Sequence, residues 1–398
     1  MPGPLEGIRV LDLSWILSGP FCTLVLADLG AQVIKIERPE IGDLARGTAP
    51  FVGENGDSAY FMSLNRNKKS VTLDLSVKEG RDAFLGLVKK ADVVVENMRP
   101  GSMKGLGLDY TELQRHNPRL IYCAISGFGQ TGPYARRPAL DIIVQGMGGI
   151  MSITGDPGGR PVRVGTSIGD IAAGLFAAVG VCAALRERER SGQGQMIDIG
   201  MLDCQVAILE NALARYWATG EVPRPLGTRH PLATPFQAFE TLDGYVVVAI
   251  IGSEEMWPLF CSAIDRVELI DDPRFQTGWS RTQHIETLEP VIAAEMKKRT
   301  TQEWVDELGR LGIPCGPVNT IDRVASDPHL AQREMFVELP HKRLGSFKYT
   351  GTPIKLSRSP ADVLHPPPDL GEHTEEILAH ILGISAEQIE SLRAKKAI

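Results

Sequence analysis

The sequence predicts an α/β protein. Its large domain is built on a Rossmann-like parallel sheet, and a linker joins it to a smaller α+β domain. Three observations carry this reading. At 398 residues the chain exceeds one typical domain and suffices for two cores. Its first part alternates short β-rich runs with helical patterns, the signature of βαβ units. A stretch with four prolines, EVPRPLGTRHPLATP, then interrupts all regular structure.

The elements follow in order. GIRVLDLS, QVIKIER, SVTLDL, DVVVEN and LIYCAISGFG read as strands, with PFCTLVLADLGA and EGRDAFLGLVKKA as helices between them. After the first strand stands LSWILSGP, without the G-x-G-x-x-G of a dinucleotide site, so a nicotinamide cofactor is not expected. Residues 146–169 are rich in glycine and turn formers and read as a mobile loop leading into an apolar helix over Ile171–Leu185. Beyond the proline-rich stretch, FQAFETLDGYVVVAI fits a hairpin turning at Asp243-Gly244, and SEEMWPLFCSAI, TLEPVIAAEMKKR and TQEWVDELGRLG follow as amphipathic helices. After GIPCGPVNT the chain is expected to return to the first domain and end in an amphipathic helix after HPPPDLGEHT. The expected layout is a large domain over residues 1–220, a linker over 221–235, a small domain over 236–330 and a return segment over 331–398. Neither an internal repeat nor a low-complexity tract interrupts it.

Composition narrows the function. A net charge of −7 argues against nucleic acid as a partner, since a phosphate-binding surface needs a broad basic excess. The apolar run Ile171–Leu185 falls short of the ~20 residues of a membrane span and ends in Arg186-Glu187-Arg188-Glu189-Arg190. The opening MPGPLEGIRVLDLS has no basic segment leading into an apolar core, so a cytoplasmic protein is expected. Six scattered cysteines without a C-x-x-C pair read as reduced packing residues. H-E-x-x-H and G-x-S-x-G are both absent, and no histidine lies between residues 117 and 229.

Within that histidine-free stretch a single charge, Asp170, opens the apolar helix. Ser167-Ile168-Gly169-Asp170 has the S-x-x-D form of a helix start, in which an acid complements the positive helix end. The same setting holds an ionised carboxylate at a pocket mouth, ready to attack. Basic residues at strand ends, Arg38, Arg46, Arg99 and Lys104, suit an anion where parallel sheets collect ligands, and Asn97 ends an apolar strand with an amide in need of partners.

These residues also carry a resemblance. The ordered blocks GIRVLDLSWILSGPFCTLVLADLGAQVIKIERP, NRNKKSVTLDL, DVVVENMRPGSMKGLGL, NPRLIYCAISGFGQTGPY, SIGDIAAGLFAAVGVCAALRERERSGQGQMIDIGMLD, GIPCGPVNT and LGEHTEEIL are similar to the family III CoA-transferases, the group that includes formyl-CoA and carnitine CoA-transferases and, as relatives, the α-methylacyl-CoA racemases. The resemblance implies that Asp170 is a nucleophile that becomes acylated. It places Ile16, Leu17, Ser18, Arg38, Leu73, Asp74, Leu75, Ser76, Asn97, Met98, Arg99 and Arg137 around the CoA nucleotide and pantetheine, with Lys104 and Asp141 as further substrate contacts. It implies an interlocked homodimer with acyl-CoA and small carboxylic acids as partners, and no cofactor, CoA being a substrate. Leu17 replaces a glutamine of the formyl-CoA pattern, and residues 249–255 lack its glycine-rich lid, so formate and oxalate are not the expected acids. GTRHPLATPFQAFETLDGYVVVA looks most like the dicarboxylate-using members, with Arg229 and His230 as holders of a distal carboxylate, which points to a C4–C5 acid and a succinyl-CoA donor. The alternative is a racemase on the same scaffold, but where racemases carry His-Asp this chain reads Leu140-Asp141.

Overall fold

The computed structural model describes residues 3–53, 56–342 and 345–398; Met1, Pro2 and Glu54–Asn55 of the expected large domain and Arg343–Leu344 of the expected return segment lie outside the described residues. The chain divides into two compact units. One runs through Ile150, resumes over Arg163–Ala214 and closes with Pro328–Ile398; the other comprises Met151–Val162 and Arg215–Asp327.

The first unit is organised by a six-stranded sheet. Its strands are β1 (Arg9–Asp12), β2 (Gln32–Glu37), β3 (Lys68–Thr72), β4 (Val93–Glu96), β5 (Ile121–Ser126) and β6 (Met196–Gly200). They lie in the order β3-β2-β1-β4-β5-β6, every neighbouring pair parallel. This is a doubly wound order, and the direction of winding reverses between β1 and β4, where a crevice opens at the carboxyl ends of the strands. Successive residues serve opposite faces: Val10, Val33, Val93, Val95 and Cys123 pack into one core layer, while Leu11, Ile34, Val94, Tyr122 and Ala124 pack into the other. Both faces are covered, which is why these strands read as continuous apolar runs.

Four helices of this unit bear on the site: α1 (Ser18–Asp28), α2 (Lys78–Val88), α3 (Asp141–Met147) and α4 (Ile168–Ser191). The α4 helix buries Ala172, Ala173, Ala177, Ala178 and Val181 in the same core layer as Cys22 and Leu26 of α1. Small side chains let the two axes approach closely. At Gly174 an added Cβ would sit 2.7 Å from the Ser18 carbonyl oxygen. Leu175, Phe176 and Val179 on the other side of α4 are exposed. At 24 residues, α4 is long and apolar enough to cross a bilayer, longer than the apolar run alone because it takes in the charged Arg186–Arg190 tail, and half of its most apolar window is buried within the fold.

The return segment is fastened by Asn67, in a left-handed conformation at φ 61°. Its amide donates to Asp28 Oδ1 and the Asp362 carbonyl, and its oxygen accepts from the Leu364 and His365 amides at 2.9 Å.

In the second unit the expected hairpin forms between Phe236–Glu240 and Tyr245–Ala249, with Cys315–Pro317 as a third antiparallel strand. Helices Met256–Ala263, Ile285–Met296 and Thr301–Arg310 surround a core of Trp257, Phe260, Phe275 and Trp304, and Thr300 with Glu303 forms a reciprocal capping box. Residues 146–169 are not one loop, for Ile150–Ile153 is helical, and Gly155 accepts a hydrogen bond from the Gly227 amide at 2.9 Å.

Gly174→Ala is expected to lower stability by about 1–3 kcal/mol, because the atom it would meet is backbone and cannot rotate away. A urea midpoint equal to that of the parent protein would show that α1 and α4 have room to part.

Candidate functional site

The segment between β1 and α1 is fixed from below by buried charges. Asp12, fully buried at the end of β1, accepts from Thr23 Oγ1 at 2.6 Å and from the Ser14 amide at 2.9 Å, and pairs with Lys68 Nζ at 3.1 Å. Lys35, equally buried, donates to the Ser14 carbonyl at 2.7 Å and pairs with Asp43 Oδ2 at 2.9 Å. Asp43 Oδ1 accepts from the Ile16 amide at 3.0 Å. Burial alone would push the Asp12 carboxyl up; the ammonium groups of Lys35 and Lys68 outweigh it and hold the group well below the ordinary carboxylate range. From the side, Asn97 Oδ1 accepts from the Trp15 amide at 3.0 Å, while its Nδ2 donates to the Trp15 carbonyl at 2.8 Å and to Ser18 Oγ at 3.2 Å. Asn97 therefore meets its need for partners within the protein and positions the loop. Between these anchors Ile16 is held at φ 66°, a left-handed conformation unusual for a β-branched residue.

Beside this loop, at the carboxyl ends of β1, β2, β3 and β4, lies a cleft of about 390 Å³. It brings together Arg38, Leu73, Asp74, Leu75, Ser76, Met98 and Arg99, residues scattered over the first hundred positions. The Asp74 carboxylate accepts from the Ser76 amide and hydroxyl, closing the turn after β3. Other expected contacts lie outside the cleft lining. Lys104 sits on the short helix Ser102–Gly105, Arg137 stacks on the Tyr134 ring at 4.2 Å, and Leu17 is buried. Arg46 is turned inward, its guanidinium bonded to both oxygens of Glu37 at 2.7 and 2.8 Å.

Asp170 lies in the first turn of α4, three residues after the N-cap Ser167. The expected serine cap does not form: the Ser167 side chain makes no capping bond, and Asp141 Oδ1, at the start of α3, accepts from the Gly169 amide at 2.9 Å instead. Asp141 is thus a buried carboxylate that caps α4. Its Oδ2 accepts from Gln145 Nε2 at 2.7 Å, and Gln145 Oε1 accepts from the Val164 amide at 2.9 Å, so one fully buried glutamine ties α3 to the chain entering α4.

The electrostatics at Asp170 also differ from expectation. The helix start predicts an easily ionised group; instead burial, and then the neighbouring Asp141 charge, raise its pKa from the ordinary 3.8 to about 6, opposed by a hydrogen bond with Ser18. The group remains mostly ionised at neutral pH. Tyr60, which no sequence signal pointed to, faces the same carboxylates: burial, then Asp170, Asp43 and Asp141, push its phenol up to about 12. Arg163 was also missed. Its guanidinium stands 3.6 Å from Asp141 Oδ2, a basic residue seven positions before Asp170 in the run RPVRVGTSIGD.

The cation expected at Arg229 is already neutralised within the second unit. Arg229 NH1 pairs with Glu289 Oε2 at 3.3 Å, and Glu289 Oε1 is held by Gln237 at 2.8 Å. His230 stacks on Phe236 with ring centroids 4.8 Å apart.

A doubly wound sheet with a cleft at its strand ends, and a half-buried carboxylate on a helix start beside Ser18, defines a class of α/β enzyme equipped for group transfer without a dinucleotide motif. The chain belongs to CoA-transferase family III, whose model matches residues 5–374. It is 39% identical over 390 residues to succinyl-CoA:glutarate CoA-transferase of Mus musculus, covering 98% of this chain and 89% of that protein. It is 42% identical over 356 residues to acetyl-CoA:oxalate CoA-transferase of Acetobacter aceti, covering 89% and 90%. Among solved structures, a CAIB/BAIF family protein from Brucella suis superposes with a TM-score of 0.85 at 38% identity, covering 96% of this chain and all of that one.

Because folding raises the Asp170 pKa, its ionised form is a cost to the native state that is fully present above about pH 6 and gone below about pH 4. Asp170→Asn is therefore expected to be more stable than the parent protein at pH 7.5 by on the order of 1–2 kcal/mol, after discounting for solvent screening. Urea unfolding should show that advantage shrinking as the pH is taken toward 4; an advantage independent of pH would contradict the shift.

Proposed function

We propose that the protein moves coenzyme A from an acyl-CoA donor to a C4–C5 dicarboxylic acid, with succinyl-CoA as donor and Asp170 as covalent nucleophile. The observation that carries this reading is the position of Asp170: half-buried in the first turn of α4, ionised at neutral pH and close to Ser18 at the end of the fixed loop. The glutarate-using relative supports the acid class. Arg38 and Arg99, which line the cleft and form no ion pair among the described residues, suit the phosphates of CoA.

The reaction proceeds by exchange at carbonyl carbons. A carboxylate oxygen of Asp170 attacks the thioester carbonyl, the carbon–sulfur bond breaks, and CoA leaves as a thiolate from a mixed anhydride. The thiolate attacks the Asp170 carbonyl and expels the donor acid, leaving an aspartyl-CoA thioester. The acceptor carboxylate attacks that carbonyl and releases the thiolate, which then attacks the acceptor's acyl carbon to give the new acyl-CoA and free Asp170. Charge and electrons balance at each step, and thioester energy is conserved throughout. Shielding from water protects the anhydride from hydrolysis. The raised pKa serves the attack as well, since a more basic carboxylate is the better nucleophile provided it stays ionised.

The active protein on this reading is an interlocked homodimer with a large domain over 1–220, a linker over 221–235, a small domain over 236–330 and a return segment over 331–398. The exposed Leu175, Phe176 and Val179 on α4 support a partner surface. The racemase alternative finds no support, because Leu140, in place of the racemase histidine, is an apolar side chain that carries no proton.

Asp170→Ala should fold with an unchanged circular dichroism spectrum and lose transfer by roughly 10³-fold or more. Hydroxylamine added with acyl-CoA should modify Asp170 in the parent protein; a fully active variant ends the reading. The parent rate should also fall about tenfold per pH unit on the acid side of pH 6, where Asp170 takes up its proton.

A further inference from the structure

Transfer to a dicarboxylate leaves one charge of the acid unaccounted for, since Asp170 and the thioester engage only the reacting carboxylate. A second carboxylate near a half-buried site needs a cation, or its desolvation opposes binding. Arg229, the cation anticipated for this role, is occupied by Glu289 in the second unit. The basic residues of the first unit's core are also engaged: Lys35 with Asp43, Lys68 with Asp12, Arg66 with Asp28 and Arg46 with Glu37.

Arg163 differs from all of these. Among the described residues its one ion pair is with Asp141, at 3.6 Å, beyond hydrogen-bonding distance. Its side chain is 43% exposed, whereas that of Asp141 is 10% exposed. The Asp141 oxygens are satisfied by the Gly169 amide and by Gln145, so the arginine is not required as their hydrogen-bond donor. The backbone next to it is fixed, because the Val164 amide is held by the fully buried Gln145. Arg163 thus presents a guanidinium fork from a rigid base, on the chain that leads into the first turn of the nucleophile helix.

We propose that Arg163 is a specificity-determining residue that binds the distal carboxylate of the acid during its exchange at Asp170. The proposal rests on the dicarboxylate reading above and names the side chain that enforces it. A bidentate pair forms with the acid, and Asp141 keeps the guanidinium turned toward α4 between turnovers.

The test compares two acceptors of equal length, glutarate and pentanoate, which differ only in the distal carboxylate. With succinyl-CoA as the common donor, kcat/KM for the acceptor in a ping-pong scheme reports only the half-reaction that starts from the aspartyl-CoA thioester. Measured at pH 8, above the acid limb, the parent protein should favour glutarate. Arg163→Gln should cut the glutarate-to-pentanoate ratio by roughly 10- to 100-fold, the range for losing a charge-assisted pair. Arg163→Lys, which keeps the charge without the fork, should fall between them and stands in if the glutamine variant does not fold. A parent protein that favours pentanoate overturns the dicarboxylate reading itself. A parent preference for glutarate that survives Arg163→Gln, or both acceptors slowed equally as a purely structural effect through Asp141 would do, overturns the assignment to Arg163 and leaves the dicarboxylate reading standing. So does loss of the preference in Arg229→Gln but not in Arg163→Gln.

Discussion

The pairing of Asp12 with Lys68 and of Lys35 with Asp43, four charges sealed beneath one short loop, is the constraint on which the site depends. Burying charges is costly unless each is matched and hydrogen-bonded, and here the matching is dense: hydroxyls of Ser14 and Thr23 and carbonyls of Ser14 and Pro20 take up the remaining valences. Buried ion pairs are often matched in stability by apolar residues of similar volume, so their presence is weak evidence of a stabilising role. What the charges provide is direction. Each one ends on a backbone group of the β1–α1 segment or on a partner that does, and together they hold Ile16 in a conformation that the loop would not adopt unaided.

From that fixed loop the rest of the site follows by packing. Ser18 opens α1, the small residues of α4 let α1 lie close against it, and the contact brings Asp170 within reach of Ser18. The first turn of α4 is set independently by Asp141, which takes the capping role that a serine would otherwise fill. Using a carboxylate as the cap has an electrical consequence. A neutral hydroxyl would leave the helix end free to favour the Asp170 anion; a second negative charge beside it does the opposite, adding to the larger effect of burial, and Asp170 becomes more basic than its place on a helix would suggest.

The fold was largely legible because its signals are local. Short continuous apolar runs, the absence of a dinucleotide loop, the Asp243-Gly244 turn and the single charge ahead of the apolar run Ile171–Leu185 each occupy a few consecutive residues. The clustering of Arg38, Leu73–Ser76 and Met98–Arg99 was legible through family resemblance, since their positions in the chain say nothing of their meeting. What escaped were relations between distant residues. Lys68 meets Asp12 across 56 positions, Gly169 is capped from Asp141 across 28, and Arg229 is neutralised by Glu289 across 60. Ser167 misled because the S-x-x-D pattern describes a local competition among caps, and the fold supplied a stronger competitor from another helix.

The same distinction separates structural cations from those open to a ligand. A basic residue read from sequence is a candidate for any anion, and about as often a solvated or paired charge. Folding sorts the candidates: Lys35, Lys68, Arg66 and Arg229 meet carboxylates of the chain itself, while Arg38 and Arg99 reach the cleft with no ion pair among the described residues. Arg163 lies between these groups, near enough to Asp141 to be oriented by it and too far to be satisfied by it. A charge so placed keeps its full hydrogen-bonding capacity, which Arg229 and the buried lysines have already spent on carboxylates of the chain.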